Sequence, residues 1–206
     1  RLNRIPEAKA TAQKLLAEFP RSKLLDQAHY RLGEFAYGEN DLKAAASEYG
    51  VVIDKFADST FVPYARYGRG WCQLKSKDFP GAVTSFGELL LKSPDHPLAA
   101  DARFARGMAR RQAGDGKGAV EDFTAYLKTN PPLEQKSHAL YERGLAEVAA
   151  QDFAAAVATL TALLKENAKY ADADKVRYEL AWALKSQNKD NEALAQFREL
   201  ADGFPD

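Results

Sequence analysis

Apolar and polar positions alternate along this chain at helical spacing, and the whole pattern then returns every 37 residues. The stretch KDFPGAVTSFGELLLKSPDH (77–96) comes back as GDGKGAVEDFTAYLKTNPPL (114–133) and as QDFAAAVATLTALLKENAKY (151–170). One alanine recurs without a gap, as Ala8, Ala45, Ala82, Ala119, Ala156 and Ala193. Four residues later stands a bulky row, Tyr49, Phe86, Phe123, Leu160 and Phe197. Three further on is another, Val52, Leu89, Tyr126, Leu163 and Leu200, with Leu15 in the leading fragment. These intervals predict an amphipathic helix in each copy.

A second helix precedes it, because Ala28, Gly33 and Phe35 recur in register as Ala65, Gly70 and Cys72 and as Ala102, Gly107 and Ala109. GEND (38–41), KSKD (75–78), GDG (114–116) and AAQD (149–152) read as turns between the two helices. FAD from 56, SPD from 93, NPP from 130 and FPD from 204 read as loops that end each copy. The predicted fold is all-α, a solenoid of helix pairs more than about 70% helical without a sheet. Five repeats are expected at about 21–58, 59–96, 97–133, 134–170 and 171–206, after an orphan second helix at 1–20, as one array over 1–206. A small row inside the first helices, Gly33, Gly70, Gly107, Gly144 and Ala181, is unusual, since helical Gly costs about 1 kcal/mol relative to Ala. Its regularity predicts a neighbouring backbone passing close by. A lone pair of short helices cannot hide its apolar face, so each copy becomes the packing surface of the next.

Gly33, Ala45, Tyr49 and closing prolines such as Pro94, Pro131 and Pro205 together resemble the tetratricopeptide repeat, over the whole chain. The period, loops reading FADS and FPRS, and helices reading YGRGW and YELAWAL resemble a bacterial envelope subclass that includes the Tol-Pal-associated coordinator and outer-membrane assembly lipoproteins. The resemblance implies a right-handed superhelix whose first helices line a concave groove that holds a peptide or partner protein. It also implies a periplasmic or envelope-associated location, with the cytoplasm as the alternative. Lys and Asn of the carboxylate clamp used by chaperone-binding members are replaced on that face by Tyr30, Glu34, Tyr67 and Trp71, so that ligand is not expected.

Composition adds exclusions. Lys plus Arg (29) balance Asp plus Glu (29), so no global field draws the chain to nucleic acid or an anionic bilayer. No apolar run is long enough for a membrane span. The histidines, His29, His96 and His138, have no partners at triad or metal spacing and read as surface or loop residues. Cys72 stands in a row with Phe35, Ala109, Ala146 and Ala183 and reads as a packed, inert thiol. GDGKG (114–118) lacks phosphate-loop spacing, and Glu121 and Asp122 read as solvated charge. No catalytic residue, cofactor or metal site is expected, and the chain is read as a non-enzyme.

Two rows on the first helices carry the functional reading. Tyr30, Tyr67, Phe104, Tyr141 and Tyr178 are aromatic in every copy, and four residues on stand Glu34, Trp71, Met108, Leu145 and Trp182. The rows share a helix face. They either line a partly exposed binding groove or pack between repeats, and Trp71→Ala with Tyr141→Ala separates the two: lost capture in a stable protein means groove, unfolding means core. On the other side stand Arg66, Arg69, Arg103, Arg106, Arg143 and Arg177. Either these pair with acids of the adjoining repeat along the surface or, as an alternative site at Arg66, Arg69, Arg103, Arg106 and Arg143, they face the groove and take an anionic ligand. A third possibility is a structural spacer within a longer repeat array. The ends show no polar closing helix, which predicts self-association through an end or a longer parent array.

Overall fold

A computed structural model describes residues 5–203. Among them are eleven helices and no strand: α1 (Ile5–Glu18), α2 (Leu25–Gly38), α3 (Leu42–Lys55), α4 (Val62–Lys75), α5 (Phe79–Lys92), α6 (Ala99–Gln112), α7 (Gly116–Leu127), α8 (Leu133–Ala149), α9 (Phe153–Glu166), α10 (Ala173–Ser186) and α11 (Asp190–Gly203). α2 to α11 follow one another as five helix pairs, and α1 precedes them. The closing FPD at 204–206 lies outside the described residues.

Each hairpin is made the same way. The residue before the cap adopts a left-handed conformation, at Asn40, Lys77, Gly114, Gln151 and Asn188, again every 37 residues. The next amide reaches back to the preceding helix, as Asp78 N–H to the Gln73 carbonyl (2.8 Å), closing a Schellman turn. That same residue starts the next helix: the carboxylates of Asp41, Asp78, Asp115 and Asp152 accept from the amides of Ala44, Gly81, Gly118 and Ala155. The last repeat has Lys189 in this place. In GDGKG, Gly114 at φ +86° ends α6, Asp115 caps α7 and a Cβ on Gly116 would lie 2.8 Å from the Ala150 nitrogen, so these glycines build a hairpin.

Two compact units divide the chain within α6, the first running to Ala105 and the second from Arg106. In the first, α1 packs on α2, α2 on α3, α3 on α4 and α4 on α5, with α2 also touching α4. In the second, α7 packs on α8, α8 on α9, α9 on α10 and α10 on α11, with α8 touching α10. The first core gathers around Ala45, Tyr49, Val52 and Ala65, the second around Leu160, Leu163, Val176 and Leu180.

The small row of the first helices faces rings and branched side chains rather than the expected backbone. A Cβ on Gly33 would come within 2.6 Å of the Tyr49 ring, on Gly70 within 2.7 Å of Phe86, on Gly107 within 2.9 Å of Phe123 and on Gly144 within 2.4 Å of Leu160. The helical penalty of each glycine is offset by the burial of the bulky side chain it admits. Close backbone approach occurs instead at Gly116, beside the end of α8.

Candidate binding cleft

The first unit contains a cleft of about 480 Å³. Helical spacing supplies its walls: Tyr30, Glu34 and Tyr37 follow one face of α2, and Tyr64, Tyr67, Gly68, Trp71 and Lys75 one face of α4, with Tyr49 of α3 between and Leu98 at the rim. The Tyr49 ring lies between two glycines, because a Cβ on Gly68 would also fall 2.6 Å from it. Gly68 therefore does for the next repeat's side of the ring what Gly33 does for its own.

The walls meet at steep angles. Tyr30 stacks on Phe61 at 5.0 Å and meets Tyr64 at 6.2 Å and 62°. Tyr64 is edge-on to His96, 4.8 Å away at 82°. Tyr67 and Trp71 stand 6.1 Å apart at 78°, and both lean on Phe86. Phe86 is fully buried, and each of the other rings is partly packed and partly presented.

The polar groups of the cleft differ in how far they are engaged. Glu34 accepts from the Tyr30 hydroxyl at 3.0 Å and pairs with Arg31 at 2.5 Å. Burial, then the Glu34 charge, holds the Tyr30 phenol far above its ordinary range, so it remains a donor. Burial also raises the Tyr67 phenol, while a hydrogen bond with Trp71 acts the other way. Lys75 rests its ammonium 4.3 Å from the centre of the Tyr37 ring, and among the described residues no carboxylate pairs with it.

Of the aromatic row, Tyr30, Tyr67 and Trp71 thus come together. Phe104, Met108 and Leu145 are half-buried on α6 and α8 and do not line this cleft. In the second unit Tyr141 lies 6.4 Å from Tyr170, and burial pushes both phenols up to about 12. Tyr178 and Trp182 repeat the Tyr67–Trp71 arrangement on Phe197, but each is 46% exposed. The periodicity reading passed over one row: Arg31, Gly68 and Ala105 are followed by Glu142 and Glu179 at the same place. Glu142 is buried and accepts from Arg111 at 2.9 Å. Glu179 is half-buried, and desolvation raises its pKa against the pull of Arg111.

The arginines pair differently from expectation. They reach the second helix of their own repeat: Arg66 meets Glu88 (3.3 Å), Arg69 donates to Ser85 (3.1 Å) and Arg106 clasps Asp122 through two bonds of 2.9 and 2.6 Å. Arg143 donates to Thr159 (2.8 Å) and lies beside Glu147 of its own helix (3.2 Å). Arg177 pairs with Glu199, and Arg103 is half-buried on α6. Arg111, absent from the predicted row, is the arginine that does cross to the next repeat, at Glu142. Ser85, Asp122, Thr159 and Gln196 among their partners stand in a polar row just before the bulky one, which begins with Glu48. A constant polar position beside a constant buried one was the signal for it. Asp122 is accordingly not solvated: it is 3% exposed and also accepts from Arg110 at 3.0 Å, while Glu121 is exposed. A carboxylate between two guanidiniums repays its desolvation, whereas its neighbour points to water.

His29 is likewise a helical, half-buried partner of Glu48 (2.7 Å) rather than a free surface group. Cys72 is buried, which pushes its thiol up to about 11 and leaves it a poor nucleophile.

A family model for the tetratricopeptide repeat matches residues 1–60, 67–134 and 141–206. A search of curated proteins gives no significant match. Among solved structures, YrrB, described as a TPR protein with an unusual peptide-binding site, is 16% identical with a TM-score of 0.74, covering 95% of this chain and 93% of its own. MamA from Desulfovibrio magneticus RS-1 is 15% identical with a TM-score of 0.73, covering 86% and 93%. A tetratricopeptide repeat protein from Parabacteroides merdae is 16% identical with a TM-score of 0.71, covering 95% and 72%. At these identities the structures speak for the fold, while the family model spans nearly every repeat of the sequence, and the chain belongs to the tetratricopeptide repeat family.

Proposed function

We propose that this protein is a non-enzymatic interaction scaffold that holds a peptide, or a segment of a partner protein, in the aromatic cleft of its first unit. The observation that carries this reading is the convergence of Tyr30, Tyr37, Tyr64, Tyr67 and Trp71 on one open cleft. Tyr and Trp are favoured interface anchors because each joins a large apolar face to a polar edge at low entropic cost. The described peptide-binding site of the similarly folded YrrB supports the same class of ligand. Phe104 is assigned as a further contact position of the first unit, and Met108, Tyr141 and Leu145 of the same sequence row as contact positions of the second unit by itself. Loops reading FADS and FPRS support a place in the bacterial envelope, which fractionation of the native cell tests. No helix among the described residues is long and apolar enough to cross a membrane.

The test is selection of ligands from a random-peptide display library on the intact chain, followed by rebinding to Trp71→Ala and Tyr67→Ala proteins. Selected peptides should bind these variants at least about tenfold more weakly. Undiminished binding would place the site elsewhere. Because both rings also lean on Phe86, rebinding is read alongside a melting curve.

A second surface is favoured by the exposure of Tyr178 and Trp182, which both rest on Phe197. We assign it to self-association, and sedimentation of wild-type and Trp182→Ser proteins tests this. The anionic-ligand alternative loses support, since Arg66, Arg69, Arg106 and Arg143 already face acceptors within the fold.

A further inference from the structure

We infer that the cleft takes a proline-containing acidic segment in the extended polyproline II form, with its rings seated between the aromatic walls and a side-chain carboxylate on Lys75. This rests on the reading of the cleft as a peptide site and names its ligand class.

Shape is the first reason. The walls include pairs of rings set at steep angles, Tyr67 to Trp71 at 78° and Tyr30 to Tyr64 at 62°. Such pairs leave V-shaped notches suited to a compact saturated ring whose C–H bonds point at aromatic faces. A peptide helix is about 10–12 Å across and needs a broad trough, whereas about 480 Å³ suits a few extended residues. Hydrogen bonding is the second reason. A polyproline II segment has no internal hydrogen bonds and presents bare carbonyls. The cleft answers with phenols, and the Tyr67 hydroxyl, engaged by Trp71, keeps its own proton to donate.

Charge is the third reason and decides the sequence. The cleft holds one carboxylate and one ammonium. Glu34 is occupied by Arg31 and the Tyr30 hydroxyl, whereas Lys75 has only the Tyr37 ring beneath it. The uncompensated charge is therefore positive, and it selects an acidic residue beside the prolines. A preformed extended segment loses little entropy on binding, which suits a small site.

The probe is the capped peptide acetyl-Pro-Pro-Ala-Pro-Pro-Asp-amide, whose only carboxylate is a side chain. It is titrated by Trp71 fluorescence in a Trp182→Phe background. Saturable binding is expected, weakened at least about tenfold when the prolines become alanines. Replacing its Asp with Lys should weaken binding about fivefold, and Lys75→Glu should reverse that preference. Lys75 is exposed, so Lys75→Glu leaves the fold intact, as a melting curve verifies. Equal binding of the alanine peptide, or an unchanged charge preference in Lys75→Glu, overturns the inference. If the library instead yields Trp71-dependent peptides without proline or acid, only this inference falls. If no ligand depends on Trp71, the cleft reading falls with it.

Discussion

The two units solve the same packing problem with opposite chemistry. On the face of α4, Gly68 stands against the Tyr49 ring and leaves room for a cleft of tyrosines. At the equivalent places on α8 and α10 stand Glu142 and Glu179, one clasped by Arg111 and the other half-buried beside it. A missing side chain leaves room for the aromatic cleft of the first unit, while charged side chains occupy that place in the second. One register position, read as Arg31, Gly68, Ala105, Glu142 and Glu179 down the chain, is small only at its second and third places, and there the aromatic face of α4 stays open.

The largest effect is expected where pairing is broken. Arg111→Met leaves the buried Glu142 with only His138, 3.8 Å away, among the described residues, and should cost about 3 kcal/mol in urea denaturation, because the buried charge loses its bonded guanidinium. The next largest comes from filling the first unit. Gly68→Ala places a Cβ where the Tyr49 ring now lies, and even after the gain in helix propensity it should cost about 1–2 kcal/mol. The variant should also bind display-selected peptides more weakly. A stable, binding-competent Gly68→Ala protein would mean that the glycine does not shape the cleft.

A smaller effect is tied to pH. Burial raises the Glu179 pKa, so its ionised form disfavours the folded state at neutral pH. That penalty is relieved as pH falls through the raised folded value toward the ordinary carboxylate range. Glu179→Gln should thus be more stable than wild type at neutral pH, with the gap closing in acid; a gap that widens in acid contradicts the assignment. The smallest effect is alkaline. Tyr141 and Tyr170 titrate near 12 when folded against an ordinary 10.0, so their stabilising contribution is complete below 10 and lost as pH rises toward 12. Phenolate absorbance followed against unfolding should show this window, and Tyr141→Phe should narrow it.

Much of the fold was legible because periodicity reports burial. Ala45, Ala82, Ala119 and Ala156 are fully buried, as are Phe86, Phe123 and Leu160 in the next row. The rows weaken at the last repeat, where Phe197 and Leu200 are only half-buried. The candidate site was legible in part. Tyr30, Tyr67 and Trp71 stood in the aromatic rows, but Tyr37, Tyr64, Tyr49 and Lys75 joined them only when α2, α3 and α4 came together. Asp122 was misread because charge predicts exposure on average, and its two arginines lie twelve and sixteen residues away.

Sequence alone determined the helix pairs, their period, their hairpins and the family, since these depend on local spacing, capping and a repeated apolar face. Tertiary structure decided which rings are core and which are wall, where the arginines end, and which residues gather around the aromatic cleft. Those outcomes turn on distances between side chains remote along the chain. The same row of tyrosines lines an open cleft beside Gly68 and is crowded by charge beside Glu142 and Glu179, and the row itself does not say which.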